Sequence, residues 1–491
     1  MASLVAVVAS LARFGDAAPI TSVALRKNRR VLSEDGARRL GDATATSAVL
    51  RGDLQDDYTA EVRIDGSIFH LNVDTGSGIV GVAGNATIGC DAFYDASECD
   101  GVDIAVTYGS GYWAGVVCEG TVAIGDLAID GYKFAAYEEQ RAMTTCARTP
   151  EDDPTNPKQM VRPDAYMEGI LGASFAQQQS AGSKPLIEAF FDAFEDVDRK
   201  FGLQCCGYDA GSGGGGGSLD VGGFDESRFS GDLAWVPVVQ AKWWAVRMTS
   251  FRVGAKEALP EDVAAVDVYD DGIPQTIVDS GTSGILVEPR AFKTATDAVR
   301  RATREAEALP DAFWAGTYCA PVSALKRVDL LPTLTIGLAA GAGEKDGDVL
   351  HLKIPPCRYV VRVPAGYCML QEPRGDGEDS YAYVLGAMPA GANAILGQSL
   401  FEEYYVAHDM GDEPAVGFAK IEGCGASCAA EVMPGDPAWA FAASAICVAA
   451  VLGAGLGAVG LRSRRRRSRR AGYDAVAEAR PKGAAAAAGL A

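Results

Sequence analysis

Strand-like runs rich in Val, Ile, Tyr and Phe recur along most of this chain, separated by glycine-rich turns: residues 58–64, 69–73, 102–108, 243–253 and 331–338. Helical periodicity is confined to residues 184–197 and 289–309. The pattern predicts a mostly β protein. With 491 residues the chain exceeds what one hydrophobic core usually serves, so two lobes with appendages are expected. One run differs from the rest. Residues 438–461 are apolar and uncharged for 24 positions, enough to cross a bilayer as a helix. Arg462-Ser463-Arg464-Arg465-Arg466-Arg467-Ser468-Arg469-Arg470 follows at once, and a basic cluster of that kind stays on the cytosolic side. A buried core helix is the plainer reading of such a run, but length and flanking charge argue for a single C-terminal transmembrane helix.

Within the β-rich region a single phrase occurs twice. Val73-Asp74-Thr75-Gly76-Ser77 stands in the first half and Val278-Asp279-Ser280-Gly281-Thr282-Ser283 in the second, the aspartates 205 residues apart. Each is followed by an Ile-Leu-Gly phrase, Gly169-Ile170-Leu171-Gly172 and Ala394-Ile395-Leu396-Gly397, with the isoleucines 225 residues apart. A lone Asp-Thr-Gly means little, because Asp and Gly are common turn formers. Two copies in the same order, each after an apolar run, are specific. Related halves that each present one aspartate in a tight turn bring two carboxylates together across their seam. Two such acids cannot both ionise cheaply, so they hold one proton between them and serve as acid and base at once.

These paired phrases resemble the pepsin family of aspartic endopeptidases, and the likeness spans residues 58–420. It implies a bilobal fold of two pseudo-symmetric β lobes with a cleft between them, residues 57–235 carrying Asp74 and a flap, and residues 236–425 carrying Asp279. It implies that Asp74 and Asp279 are catalytic, that polypeptides are the substrates, and that no metal or organic cofactor takes part. By the same resemblance Thr75 and Ser280 cross-link the two loops, while Ser77 and Thr282 support the outer carboxylate oxygens. Gly76 and Gly281 let the backbone turn tightly beside the acids. Read alone, each hydroxyl is equally a cap of its own turn. Thr107-Tyr108-Gly109-Ser110-Gly111 resembles the flap hairpin that closes over bound peptide, with Tyr108, Gly109 and Ser110 at its tip; an ordinary hairpin turn is the alternative. Residues 211–218, Gly-rich like a linker, are expected to enlarge a hairpin.

Two departures from the family pattern stand out. Where the family carries Ser-Asn-Leu-Trp-Val-Pro after the first catalytic phrase, this chain reads Gly78-Ile79-Val80-Gly81-Val82-Ala83. Gly81 thus replaces the tryptophan that commonly bonds the flap tyrosine, which puts flap positioning in question and keeps a peptide-binding protein without full activity as the alternative function. Residues 138–163 form an acidic, Pro-containing stretch, expected as a surface excursion that biases substrates toward basic residues or is merely solvated.

The net charge of −21, carried despite a basic tail, makes the body strongly acidic and argues against nucleic acid as a partner. It suits work at low pH, where carboxylates protonate and self-repulsion falls, and it equally serves solubility. Eleven of twelve cysteines precede the apolar run, consistent with an oxidising compartment and disulfides. By resemblance Cys90 and Cys99 close a small loop; Cys319 with Cys368 or Cys357, and Cys424 with Cys428, are further expected pairs. An odd number leaves at least one thiol free or bonded to another chain. Three scattered histidines and no Cys-x-x-Cys speak against zinc. Asn85-Ala86-Thr87 is an N-glycosylation sequon. The remaining plan is a signal peptide at 1–18 and a basic pro-segment at 19–56, which holds Arg26-Lys27-Asn28-Arg29-Arg30 and Arg38-Arg39; convertase sites and a plain linker are the alternatives there. A stalk at 426–437, the span and a cytosolic tail at 462–491 complete it, with Tyr473-Asp474-Ala475-Val476 fitting a Tyr-x-x-apolar sorting signal. The expected topology is single-pass type I, with the body luminal or extracellular. Oligomeric state is not legible.

Overall fold

Thr46–Arg51 buries every second side chain (Thr46, Ala48, Leu50) and turns Ser47, Val49 and Arg51 outward, the pattern of a strand with one wet face. Strands of this kind dominate the computed structural model, which describes residues 37–39, 45–51, 57–84, 90, 92–99, 101–109, 111–141, 143, 167–176, 182, 184–207, 216–254, 257–258, 275–340, 349–365, 368, 378–389 and 394–424. The chain separates into a body through Val432 and a C-terminal unit from Met433. All described residues belong to the body.

A fourteen-stranded sheet runs through the body. It begins with six strands drawn from both halves of the sequence: Phe229–Pro237, Ala415–Ile421, Tyr404–Asp409, Lys200–Cys205, Gly217–Val221 and Thr46–Arg51. Here the halves are sewn together, Phe201 opposite His408 and Leu203 opposite Val406. The sheet continues through Thr59–Ile64, Ser67–Asp74, Gly169–Gly172, Val80–Ala83, Leu127–Arg141, Tyr112–Ile124 and Asp103–Thr107, with Ala37–Arg39 added beside Leu127–Arg141. The second half has its own six-stranded sheet, which includes Thr276–Val278, Ala394–Leu396 and Ile285–Val287, and two smaller sheets. Large apolar side chains fill both halves; Trp113, Tyr58, Phe69, Trp244 and Tyr405 are fully buried.

Several expected elements differ in detail, each for a physical reason. The run 243–253 is two strands, Trp244–Val246 and Met248–Val253, because they belong to different sheets. The run 289–309 is two helices, Pro289–Arg300 and Arg304–Ala308. The Thr303 hydroxyl accepts from Ala306 N at 3.0 Å and so caps a new helix start. The helix expected over 184–197 is Leu186–Ala193. Glu138 and Glu139 are exposed on the strand Leu127–Arg141 and not in a loop, whereas 144–166 lies outside the described residues. Lys200–Cys205 and Gly217–Val221 pair antiparallel, so the Gly-rich stretch between them does connect a hairpin.

The cysteine pairing is corrected in two places. Cys99 bonds Cys118 and not Cys90, since the strand Tyr112–Ile124 passes beside Cys99 with a Cα–Cα distance of 5.1 Å. Cys424 bonds Cys206 and not Cys428, tying the end of the body to the sheet that joins the halves. Cys319 pairs with Cys368. Cys90 and Cys357 are also disulfide-bonded, and among the described residues Cys205 is a free, buried thiol.

Residues 1–36, which include the expected signal peptide and the first basic cluster, lie outside the described residues, as do 425–491 with the expected stalk, span and tail. Among the described residues no helix is long and apolar enough to cross a membrane. Asn85 and Ser110 are likewise outside them.

Candidate active site

Each aspartate stands at the end of a buried strand. Asp74 closes Ser67–Asp74, which runs parallel to Gly169–Gly172 with Val73 opposite Leu171. Asp279 follows Thr276–Val278, which runs parallel to Ala394–Leu396 with Val278 opposite Leu396. Val73, Leu171, Val278 and Leu396 are fully buried, so the Ile-Leu-Gly phrases anchor the loops through apolar burial. Their glycines permit the approach. A Cβ on Gly172 would lie 2.3 Å from Ile79 N, and one on Gly397 2.1 Å from Thr282 O.

The two loops meet face to face. A Cβ on Gly76 would sit 2.7 Å from Asp279 Oδ1, and one on Gly281 2.4 Å from Asp74 Oδ1, so each glycine lies flat against the opposite acid. The two carboxyl groups thus face each other across the seam, near enough for the charge of Asp279 to act on Asp74. The support around them is mirrored. Gly76 N donates to Asp74 Oδ1 at 2.8 Å and Ser77 Oγ to Asp74 Oδ2 at 2.5 Å. Gly281 N donates to Asp279 Oδ1 at 2.9 Å and Thr282 Oγ1 to Asp279 Oδ2 at 2.6 Å. Beneath them Thr75 N donates to Ser280 Oγ (3.1 Å) and Ser280 N to Thr75 Oγ1 (2.9 Å). Each hydroxyl then donates to a carbonyl of the other half: Thr75 Oγ1 to Val278 O at 3.0 Å, and Ser280 Oγ to Val73 O at 2.5 Å.

The acids are almost closed to solvent, Asp74 5 % and Asp279 9 % exposed. Burial pushes the Asp74 carboxyl well above the ordinary carboxylate range, and the charge of Asp279 adds to it; the Ser77 and Gly76 bonds pull the other way. A proton is thereby kept at the pair beyond the pH at which a free aspartate loses it. Such a pair can accept a proton from water on one oxygen and donate another to a carbonyl.

Tyr108 begins the turn of a hairpin between Asp103–Thr107 and Tyr112–Ile124, its N–H donating to Gly111 O at 2.8 Å. Gly109 is exposed at the tip. The Tyr108 ring packs on an apolar cluster of Ile79, Trp113, Ala135, Tyr137, Met143 and Ile170. Its hydroxyl is enclosed and lies within the field of Asp74, which together with burial raises its pKa.

Three residues of this region have no counterpart among the sequence-based candidates. Trp113 and Tyr137 are fully buried beside the flap. Gln398 is fully buried behind Asp279 and donates through Nε2 to Ser280 O at 2.8 Å and Asp57 Oδ1 at 3.1 Å. Trp113 had a signal, since hairpin pairing sets it opposite Val106, two residues before Tyr108. Tyr137 had none, because its strand meets Val80–Ala83 in parallel across more than fifty residues of sequence.

Residues 57–421 match the family model for eukaryotic aspartyl proteases. Relatives include a β-secretase of Strongylocentrotus purpuratus, 27 % identical over 399 residues that cover 76 % of this chain and 67 % of that protein. A vacuolar aspartic protease of Candida albicans is 24 % identical over 76 % of this chain and 77 % of its own length. Vacuolar protease A of Arthroderma otae is 26 % identical, with 75 % and 79 % covered.

Proposed function

The chain belongs to the eukaryotic aspartyl protease family, and on that premise we propose that it is an active endopeptidase that hydrolyses internal peptide bonds with a water held between Asp74 and Asp279. The ionised member of the pair takes a proton from the water as its oxygen attacks the scissile carbonyl carbon. The protonated member donates to the carbonyl oxygen, giving a tetrahedral diol. That diol returns a proton to the acids, the nitrogen is protonated, and the C–N bond breaks to release an amine and a carboxylic acid. No step leaves the enzyme covalently modified. The pair works as one titrating unit, so neither aspartate is permanently acid or base.

The observation that carries this reading is the facing of two carboxyl groups, one from each half, each set against the glycine of the opposite loop and held by a backbone N–H and a hydroxyl. A binding protein needs a groove but no such proton-sharing pair. Activity is greatest at acidic pH, where the pair keeps its single proton. The body lies in the lumen of the secretory or endosomal system, tethered by residues 438–461 and preceded by a basic segment. Two of the relatives are vacuolar by name, in keeping with that placement.

Purified full-length chain in detergent, incubated with a peptide library at about pH 4.5, tests the reading. Wild type is expected to cleave, and Asp74→Asn or Asp279→Asn each to lower kcat by roughly a hundredfold to ten-thousandfold. Cleavage undiminished by either substitution, or binding without cleavage by wild type, contradicts it.

A further inference from the structure

Gly81 carries no side chain because another residue already occupies the space. A Cβ there would lie 2.4 Å from Tyr137 Cε1 and 2.5 Å from Tyr137 Oη. The Tyr137 phenol therefore lies directly over the Gly81 backbone, with its hydroxyl end at that position. Its ring stacks on Trp113, centroids 4.6 Å apart and planes at 24°. Both side chains are fully buried, and Tyr108 packs against the same cluster.

Three polar atoms end in this otherwise apolar cluster: Tyr108 Oη, Trp113 Nε1 and Tyr137 Oη. All are shut off from solvent and none has a hydrogen-bond partner among the described residues. A buried donor without a partner is costly, and three in one place are costlier still. Their chemistry is complementary, since a phenol both donates and accepts while an indole only donates. They also adjoin one another. The Tyr108 hydroxyl lies within the influence of Trp113 and Ser77, and the Tyr137 hydroxyl within that of Tyr108 and Asp74. Ser77 in turn holds Asp74 Oδ2.

We propose that Tyr137 is a positioning residue of this enzyme: when peptide binds and the hairpin closes, the Tyr137 hydroxyl and the Trp113 indole together hold the Tyr108 hydroxyl beside the Ser77–Asp74 pair. The missing side chain at Gly81 and the phenol of Tyr137 form one size-matched unit that makes this possible. The proposal rests on the protease reading above, and it goes beyond that reading by naming what sets the flap.

The test uses full-length wild type, Tyr137→Phe, Tyr108→Phe and the double variant, with a peptide that wild type cleaves. Tyr137→Phe keeps the ring, its stacking on Trp113 and its fit over Gly81, and removes only the hydroxyl; thermal midpoints verify folding. It is expected to lower kcat/KM by about tenfold, mainly through KM. It is also expected to weaken by a similar factor the binding of a peptide with a non-hydrolysable hydroxyethylene unit at the scissile position. In the double variant the loss should be close to that of Tyr108→Phe alone, because both hydroxyls serve one contact. Tyr137→Phe within twofold of an active wild type, or losses that simply multiply in the double variant, overturns the proposal. A wild type that cleaves nothing overturns the protease reading and this inference with it.

Discussion

At Asp74 burial and the neighbouring Asp279 act in one direction, while the Ser77 hydroxyl and the Gly76 N–H act in the other. This balance explains why the residue types around the pair were legible in the sequence. A buried acid needs short hydroxyls and side-chain-free backbone next to it, and few residues meet that need. Tyr137 was not legible, because its strand meets Val80–Ala83 from a distant part of the sequence, and Gln398, which opens the helix Gln398–Phe401 just after the second Ile-Leu-Gly phrase, has nothing local to distinguish it from ordinary core. His408 is another such residue. It is buried, stacked on Phe201 with centroids 4.4 Å apart, and neither ring nitrogen has a partner among the described residues. Burial lowers its pKa from 6.5 to about 3. The unfolded chain therefore binds a proton here that the folded chain refuses between those two values. Stability is complete above the unfolded value and falls, by about 1.4 kcal/mol per pH unit from this site, as pH drops from 6.5 toward 3. For His408→Phe the drop in melting temperature between neutral pH and about pH 4 should shrink, measured by calorimetry at both; an unchanged drop would refute the assignment.

Strand ends carry the next level of organisation. The pairing of each aspartate strand with an Ile-Leu-Gly strand was foreshadowed by the doubled phrases. Their parallel register required coordinates, whereas the crossing of hydroxyls between halves was an expectation of the resemblance. Thr75 Oγ1 accepts from Ser280 N and donates to Val278 O, so one atom links two strands of opposite halves. Thr75→Ala leaves both partners buried and unpaired, and should cost about 1–3 kcal/mol in chemical denaturation with a parallel fall in kcat. A loss of stability with kcat untouched would show that the cross-link does not align the acids. A second tie between halves had no sequence signature at all. Buried Arg358 pairs with Glu402 at 2.9 Å and Glu403 at 3.4 Å, and Tyr58 Oη, from the first half, donates to Glu402 Oε1 at 2.9 Å. These partners come from separated segments and become a cluster only on folding. Such buried charges need every partner present, which makes the cluster a marker of correct lobe docking.

For the molecule as a whole, length and periodicity gave two β halves, and the duplicated motif gave their relation. The sheet that joins them was not evident, because its strands alternate between distant regions of the chain. The Cys206–Cys424 disulfide escaped for the same reason, its cysteines lying 218 residues apart, whereas Cys319–Cys368 was among the expected pairs. On the proposed function, the joined halves hold a single proton between two acids. The measurement that bears on this most directly is kcat/KM of the full-length protein as a function of pH, from about pH 3 to pH 8. A bell-shaped profile is expected: the alkaline limb falls as the pair loses its shared proton, and the acid limb as the pair takes up a second proton. Asp74→Asn and Asp279→Asn should abolish the whole profile and not merely move one limb. A rate that climbs steadily into neutral pH, or an Asn variant that keeps one limb of the bell, would contradict the account.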